Sequence, residues 1–261
     1  MQYNISRTNS KTRDIKVLVR SAIILSVLFI HQAMSFSQHA EKGIKGDSVA
    51  IAELRAMVNT MGGIKIWSQL KSVHFVHRWY FWNKDSYVEN EILDLTGPRS
   101  WVEMKNETYH RIRAYSPEHK YWNIINGEFS YASDEALSAA LERAPYSIYR
   151  VARAVAINDS TYEVRLGKDE FPGSPRLDLY GPDRELHGYI VLNANKEPLV
   201  WATSQYKYTF GPMKKFGNLA VPNWAVTADG AVTYEMISLE GDNKRPDPEL
   251  FIPRNQSPGD E

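Results

Sequence analysis

The chain has no cysteine among its 261 residues. That absence excludes a disulfide framework, a thiolate metal site, a cysteine nucleophile and the lipidated N-terminal cysteine that a bacterial lipoprotein needs. No charge sign predominates: 31 Lys and Arg stand against 31 Asp and Glu, which leaves no electrostatic footprint for nucleic acid. No apolar run reaches the roughly 20 residues of a bilayer-spanning helix. Phosphate-binding and dinucleotide-binding glycine patterns are missing, as is the spacing of a calcium loop. There is no G-x-S-x-G elbow either: Gly173-Ser174-Pro175 lacks the spacing, and Pro175 blocks the turn into a helix. No catalytic residue, metal or cofactor is expected, and the chain reads as a binding protein and not an enzyme.

What is present is aromatic. Phe, Trp and Tyr make up 12% of the chain, with 15 Tyr and 7 Trp; such residues favour strands and the walls of binding sites. At the N-terminus, Lys16 and Arg20 precede the apolar run Ser21–Ile30, followed by the small residues Ala33, Ser35 and Ser37. A basic region, a short apolar core and small residues form the pattern of a secretory signal. Residues 1–37 are therefore expected to be a cleaved signal peptide, placing the mature protein in the periplasm or otherwise outside the cytoplasm. They hold five of the basic residues (Arg7, Lys11, Arg13, Lys16, Arg20) and one acid (Asp14). Their removal leaves a mildly acidic remainder.

After a flexible lead-in over 38–46, a domain is expected over 47–253 and a disordered tail over 254–261. Asp47 or Ser48 can cap a helix whose apolar positions Ile51, Leu54, Val58 and Met61 repeat at helical spacing. Gly62-Gly63 ends it, and a short helix follows over Ile64–Leu70. From Ser72 the period changes to two. Val73, Phe75, His77, Trp79 and Phe81 alternate with His74, Val76, Arg78, Tyr80 and Trp82, and aromatic residues on both faces suggest at least partial cover on both sides. About eleven strands are expected in all, including single strands over Leu199–Thr209 and Phe216–Val221. One helical block interrupts them: Asp134–Arg143, stopped by Pro145, then Tyr146–Ala156. The fold class is mainly β (α+β): a long antiparallel sheet that curls into a half-barrel, with an N-terminal helix and a two-helix insertion over the concave face.

The strand aromatics admit two readings: the plain core of a large sheet, or a set that in part lines a cavity. Under the second, Phe75, Trp79, Phe81, Trp101, Trp122, Trp201 and Tyr208 contact ligand. Ile148, Val151 and Val155, with Leu137 and Leu141, form the opposing helical wall. Tyr121, Tyr206 and Trp224 fall on the same kind of stretch. His74 and His77, three apart on a strand, point to opposite faces and cannot share an ion. Glu89 and Glu91 share a face, but Ser86, Asn90 and Asp94 nearby suggest that it is wet, and Asp169-Glu170 reads as a solvated pair.

Three short motifs carry a resemblance. Met61-Gly62-Gly63-Ile64-Lys65-Ile66-Trp67-Ser68-Gln69-Leu70-Lys71-Ser72 resembles the helix, Gly-Gly, Trp, Leu, Ser entry of periplasmic outer-membrane lipoprotein-sorting proteins and their Bacteroidetes-type relatives. Phe216-Gly217-Asn218-Leu219-Ala220-Val221-Pro222 and Asp247-Pro248-Glu249-Leu250-Phe251-Ile252-Pro253 are similar to that family's crossing strand and closing segment. The resemblance spans residues 47–253. It implies an incomplete, strongly curved barrel plugged by helices, holding acyl chains, with a lipid or acylated protein as partner and transient membrane contact; a monomer is expected. Two other classes stay open: an exported hydrolase of glycans or esters, and a structural envelope-assembly module.

Overall fold

In a computed structural model, residues 43–253 are described. The signal peptide expected over 1–37, the first part of the lead-in and the tail over 254–261 lie outside them. The rest of the lead-in is ordered: β1 (Lys45–Gly46) pairs in parallel with β8 (Glu163–Leu166). Helix α1 (Ser48–Thr60) follows and buries Leu54, Met57 and Val58. Asp47 does not cap it; its Oδ2 accepts from the Leu166 amide at 2.9 Å and ties the helix entry to β8. Gly62 and Gly63, with φ of 122° and 101°, turn the chain into α2 (Ile64–Gln69), a left-handed backbone that glycine adopts without strain. Trp67 of α2 is buried and donates Nε1–H to the Met61 carbonyl at 3.0 Å.

Period-two alternation then builds β2 (Ser72–Phe81), β3 (Tyr87–Asp94), β4 (Ser100–Lys105), β5 (His110–Tyr115), β6 (Trp122–Ile125) and β7 (Glu128–Tyr131) as an antiparallel meander. Helices α3 (Asp134–Arg143) and α4 (Ile148–Ile157) interrupt it, joined by a 3-10 turn at Ala144–Tyr146. Both are capped by serine, Ser133 accepting from the Ala136 amide and Ser147 from the Arg150 amide. After β8 come β9 (Arg176–Tyr180), β10 (Leu186–Leu192), β11 (Pro198–Thr203), β12 (Lys207–Phe210), the separate hairpin β13 (Met213–Phe216) and β14 (Leu219–Pro222), then β15 (Trp224–Thr227) and β16 (Val232–Asp242).

The main sheet has 14 strands in the order β1-β8-β9-β10-β11-β12-β15-β16-β2-β3-β4-β5-β6-β7 and stays open, with β1 and β7 as its edges. It is a curved antiparallel half-barrel. Register shifts in β10 and between Met236 and Ser238 of β16 mark bulges, which increase local twist and help bend the sheet. The count exceeds the expected eleven for local reasons. Leu199–Thr209 is a hairpin, β11 and β12. Phe216–Val221 likewise straddles the turn of β13 and β14 at Gly217, φ 61°. Asn126-Gly127, φ 49° and 91°, closes a two-residue hairpin onto β7, which was not expected as a strand.

One end of the trough is solid. Helices α1, α2 and α4 pack with Val73, Leu177, Leu179, Ile190, Leu192, Met236 and Leu239 of the concave face, and with Val221 of the β13–β14 hairpin, into a continuous core. The outer face of β2 is not covered: His74, Arg78, Tyr80 and Trp82 are exposed. Cover on that side is confined to β4–β6, where the C-terminal 3-10 turn Pro248–Phe251 lays Phe251 against Trp122 and Ala114, and the Trp122 Nε1–H donates to the Phe251 carbonyl at 2.9 Å.

Candidate functional site

Between the concave face and the α3–α4 elbow lies a cavity of about 800 Å³, within the range of roughly 300–1,000 Å³ typical of small-molecule sites. Strand register fixes its walls. Inward-facing residues run across the strands in rows: Met236, His77, Glu89, Met104 and Arg111 form one, and Leu239, Phe75, Glu91, Val102 and Arg113 the next. Towards the β2–β3 hairpin, Tyr234, Trp79 and Tyr87 form a third. The concave face is therefore divided lengthwise. Strands β12, β16 and β2 supply rings, β3 supplies carboxyls and β5 supplies guanidinia.

The ring side is continuous. Trp79 packs on Tyr234 at 4.9 Å, on Tyr87 at 6.3 Å, and on Phe81 and Tyr208 each at 6.5 Å between centroids. Tyr208 stacks on Trp201 at 5.9 Å, and Phe75 meets Tyr149 of α4 at 5.1 Å. Burial pushes the Tyr208 hydroxyl up to about 12 and the hydroxyls of Tyr149 and Tyr234 further, so all three stay neutral donors.

The charged side is not wet. Glu89 is only 4% exposed, against the expectation of a solvated face; Asn90 points the other way and meets exposed His74. Glu89 Oε1 accepts from Trp79 Nε1–H at 3.0 Å and lies 3.7 Å from His77 Nδ1. Burial pushes its carboxyl up, but His77, Arg113 and the Trp79 bond outweigh that and hold it below the ordinary carboxylate range. Glu91 accepts from the Ser100 hydroxyl at 2.7 Å. Here burial and the neighbouring Glu89 charge outweigh Arg113 and Ser100, and the carboxyl is raised. Among the described residues no group of three or more His, Asp or Glu is placed to hold a metal. Glu170, expected as a solvated charge, is ion-paired with Lys207 at 2.8 Å and Arg176 at 3.8 Å.

The roof is the elbow and not the helical stripe. Arg143, Ala144, Ser147, Ile148, Tyr149 and Arg150 line the cavity. Trp201 Nε1–H donates to the Tyr146 carbonyl at 2.7 Å and fastens β11 to the elbow. Arg150, 5% exposed, donates to the carbonyls of Asp94 at 2.8 Å, Ala144 at 2.9 Å and Arg99 at 2.7 Å.

Of the residues singled out from sequence, Phe75, Trp79, Phe81, Ile148, Trp201 and Tyr208 come together on this cavity. Trp101 and Trp122 do not. Register aligns Trp101, Ala114 and Trp122 in a row on the opposite face, under Phe251. Val151 and Val155 turn into the helical core, and Leu137 and Leu141 are half-buried on α3 away from the cavity lining. Lining residues not singled out as ligand contacts include His77, Arg111, Arg113, Tyr87, Tyr149 and Tyr234. Parity along β2–β5 finds His77, Tyr87, Arg111 and Arg113, which share a strand face or, through the cross-strand rows, a sheet face with an expected lining residue.

No protein-family model matches the chain, and no curated protein matches it. Among solved structures, an uncharacterized conserved protein from Thermus thermophilus is similar over 80% of this chain and 97% of its own, at 11% identity and a TM-score of 0.32. In fold the chain is distantly similar to a LolA superfamily protein from Nitrosomonas europaea, with 13% identity and a TM-score of 0.48 over 78% of this chain and 97% of that one.

Proposed function

We propose that this is an exported binding protein that holds one hydrophobic, acyl-chain ligand in its trough. The observation that carries the reading is the cavity of about 800 Å³ walled on one side by packed rings from Phe75 to Trp201. A sheet serving only as a scaffold would fill that space with its own side chains, as the opposite end of the trough does. Burial of each methylene contributes about 0.8 kcal/mol, so a C14 chain gains on the order of 10 kcal/mol before the costs of association. Dissociation constants near or below about 1 μM are expected for C12–C16 amphiphiles. Two measurements test this: mass spectrometry of organic extracts of protein purified from its native host, and displacement of a fluorescent fatty acid. A clean extract together with no displaceable fluorescence would remove the reading.

One observation favours a second class. Glu89 and Glu91 share a cavity, with one carboxyl held ionised and the other raised, the division of labour of an acid–base pair in glycoside hydrolysis. Against it, Glu89 is enclosed by Trp79 and His77 and offers little surface to a substrate. Nitrophenyl glycosides and esters are expected to show no turnover above background. Turnover abolished by Glu91→Gln would establish the hydrolase instead.

A further inference from the structure

Arg113 lines the cavity and leaves most of its hydrogen-bonding capacity unused. A guanidinium carries five N–H donors in a planar fork, and among the described residues Arg113 uses one, to the Tyr121 hydroxyl at 3.3 Å. Other arginines of the fold are engaged with acids or carbonyls: Arg99 with Glu118, Arg165 with Glu163, Arg176 with Asp178, and Arg150 with three carbonyls. Arg111, two residues along β5 on the same face, reaches only a neutral acceptor, Asn123 Oδ1, with Nε and Nη2. Two guanidinia thus line one wall of the cavity, with Tyr115 and Tyr121 beside them at 5.7 Å between ring centroids.

We propose that Arg113, supported by Arg111 and the Tyr121 hydroxyl, receives the oxyanion head of an amphiphile, a carboxylate or phosphate monoester, whose tail lies along the rings of β2, β16 and β12. The inference deepens the binding function proposed above and rests on it. A planar fork matches a carboxylate or phosphate with paired hydrogen bonds. Among the described residues Arg113 makes no direct ion pair: the carboxyls that act on it, Glu89 and Glu91, do so through space from β3, two strands away and about 10 Å between backbones. Of these, Glu91 is raised by burial and by its neighbour, which leaves Glu89 as the ionised one. A cationic head finds no equivalent place, because Glu89 is already closed in by Trp79 and His77.

Calorimetric titrations of the full mature chain with myristic acid, 1-tetradecanol, tetradecyl phosphate and inorganic phosphate, each below its aggregation concentration, test the assignment. Myristate and tetradecyl phosphate are expected to bind at least about tenfold more tightly than tetradecanol. In Arg113→Met that preference is expected to fall below about threefold while tetradecanol affinity holds; Arg113→Lys, which keeps the charge but not the fork, retains part of it. Tyr121→Phe is the milder variant should Arg113→Met fail to fold, and is expected to weaken myristate and tetradecyl phosphate but not tetradecanol. Equal affinity of wild type for myristate and tetradecanol overturns the oxyanion site and leaves the acyl-chain reading standing. No binding of any chain overturns both. Inorganic phosphate binding as tightly as tetradecyl phosphate overturns the amphiphile and leaves a plain anion site.

Discussion

Arg150→Met is expected to lower the unfolding free energy by about 3–5 kcal/mol, because it removes three buried hydrogen bonds from a charged donor. The side chain donates to three carbonyls from two parts of the chain: Asp94 and Arg99 in the β3–β4 turn, and Ala144 in the elbow. Methionine fills most of the volume and makes none of these bonds. A hydrogen bond from a charged donor contributes about 1.5–3 kcal/mol, while the Arg99 and Ala144 carbonyls keep main-chain donors in the Asp94 and Ser147 amides. In a domain of this size about 1 kcal/mol moves Tm by roughly 2–4 °C, so a fall of about 10 °C is expected. Urea titration checks the value, with an unchanged m expected if only the native state is affected. Arg150→Lys should recover little, because an ammonium cannot span carbonyls that face it from different sides. A loss below about 1 kcal/mol for Arg150→Met would show that the elbow is held by packing alone.

The same residue shows why the roof was harder to read than the sheet. The stripe Ile148, Val151, Val155 announces a helix with one buried face, and the helix is there. What that face meets is a tertiary matter: it packs into the core with α1 and α2, while the first turn, Ser147 to Arg150, reaches the cavity. Arg150 carries no pattern that marks it, since its partners are main-chain atoms distant in sequence. The strands were more legible. Strict alternation from Val73 to Phe81 placed Phe75, Trp79 and Phe81 together. Aromaticity alone does not place Trp101 and Trp122; parity through β4 and β6 does, since Ser100, Val102 and Met104 are the inward positions of β4. The strand count failed where two-residue turns were hidden inside longer apolar stretches.

Parity also reverses the reading of Glu89 and Glu91, and the two are expected to respond to the same substitution in opposite ways. Glu89 is held ionised below the ordinary carboxylate range despite its burial. Its contribution is present above that range and is lost as pH falls through the lowered value. Glu89→Gln is therefore expected to cost about 1–3 kcal/mol at neutral pH, where Trp79 and His77 lose an ionised neighbour, and the gap to wild type should narrow in acid. Glu91 is raised, first by burial and then by Glu89. Its neutral form fits the folded state, so its contribution is present at low pH and is lost as pH rises through the raised value. A neutral amide at this position, still able to accept from the Ser100 hydroxyl, escapes that loss. Glu91→Gln should therefore gain on wild type as pH rises from 4 to 8. Urea melts of the three proteins across that interval decide the matter: curves that converge with wild type in acid for one variant and diverge from it in base for the other are expected. Parallel curves would mean that both carboxyls titrate as solvated groups, and that the charged wall facing Arg113 is open to water.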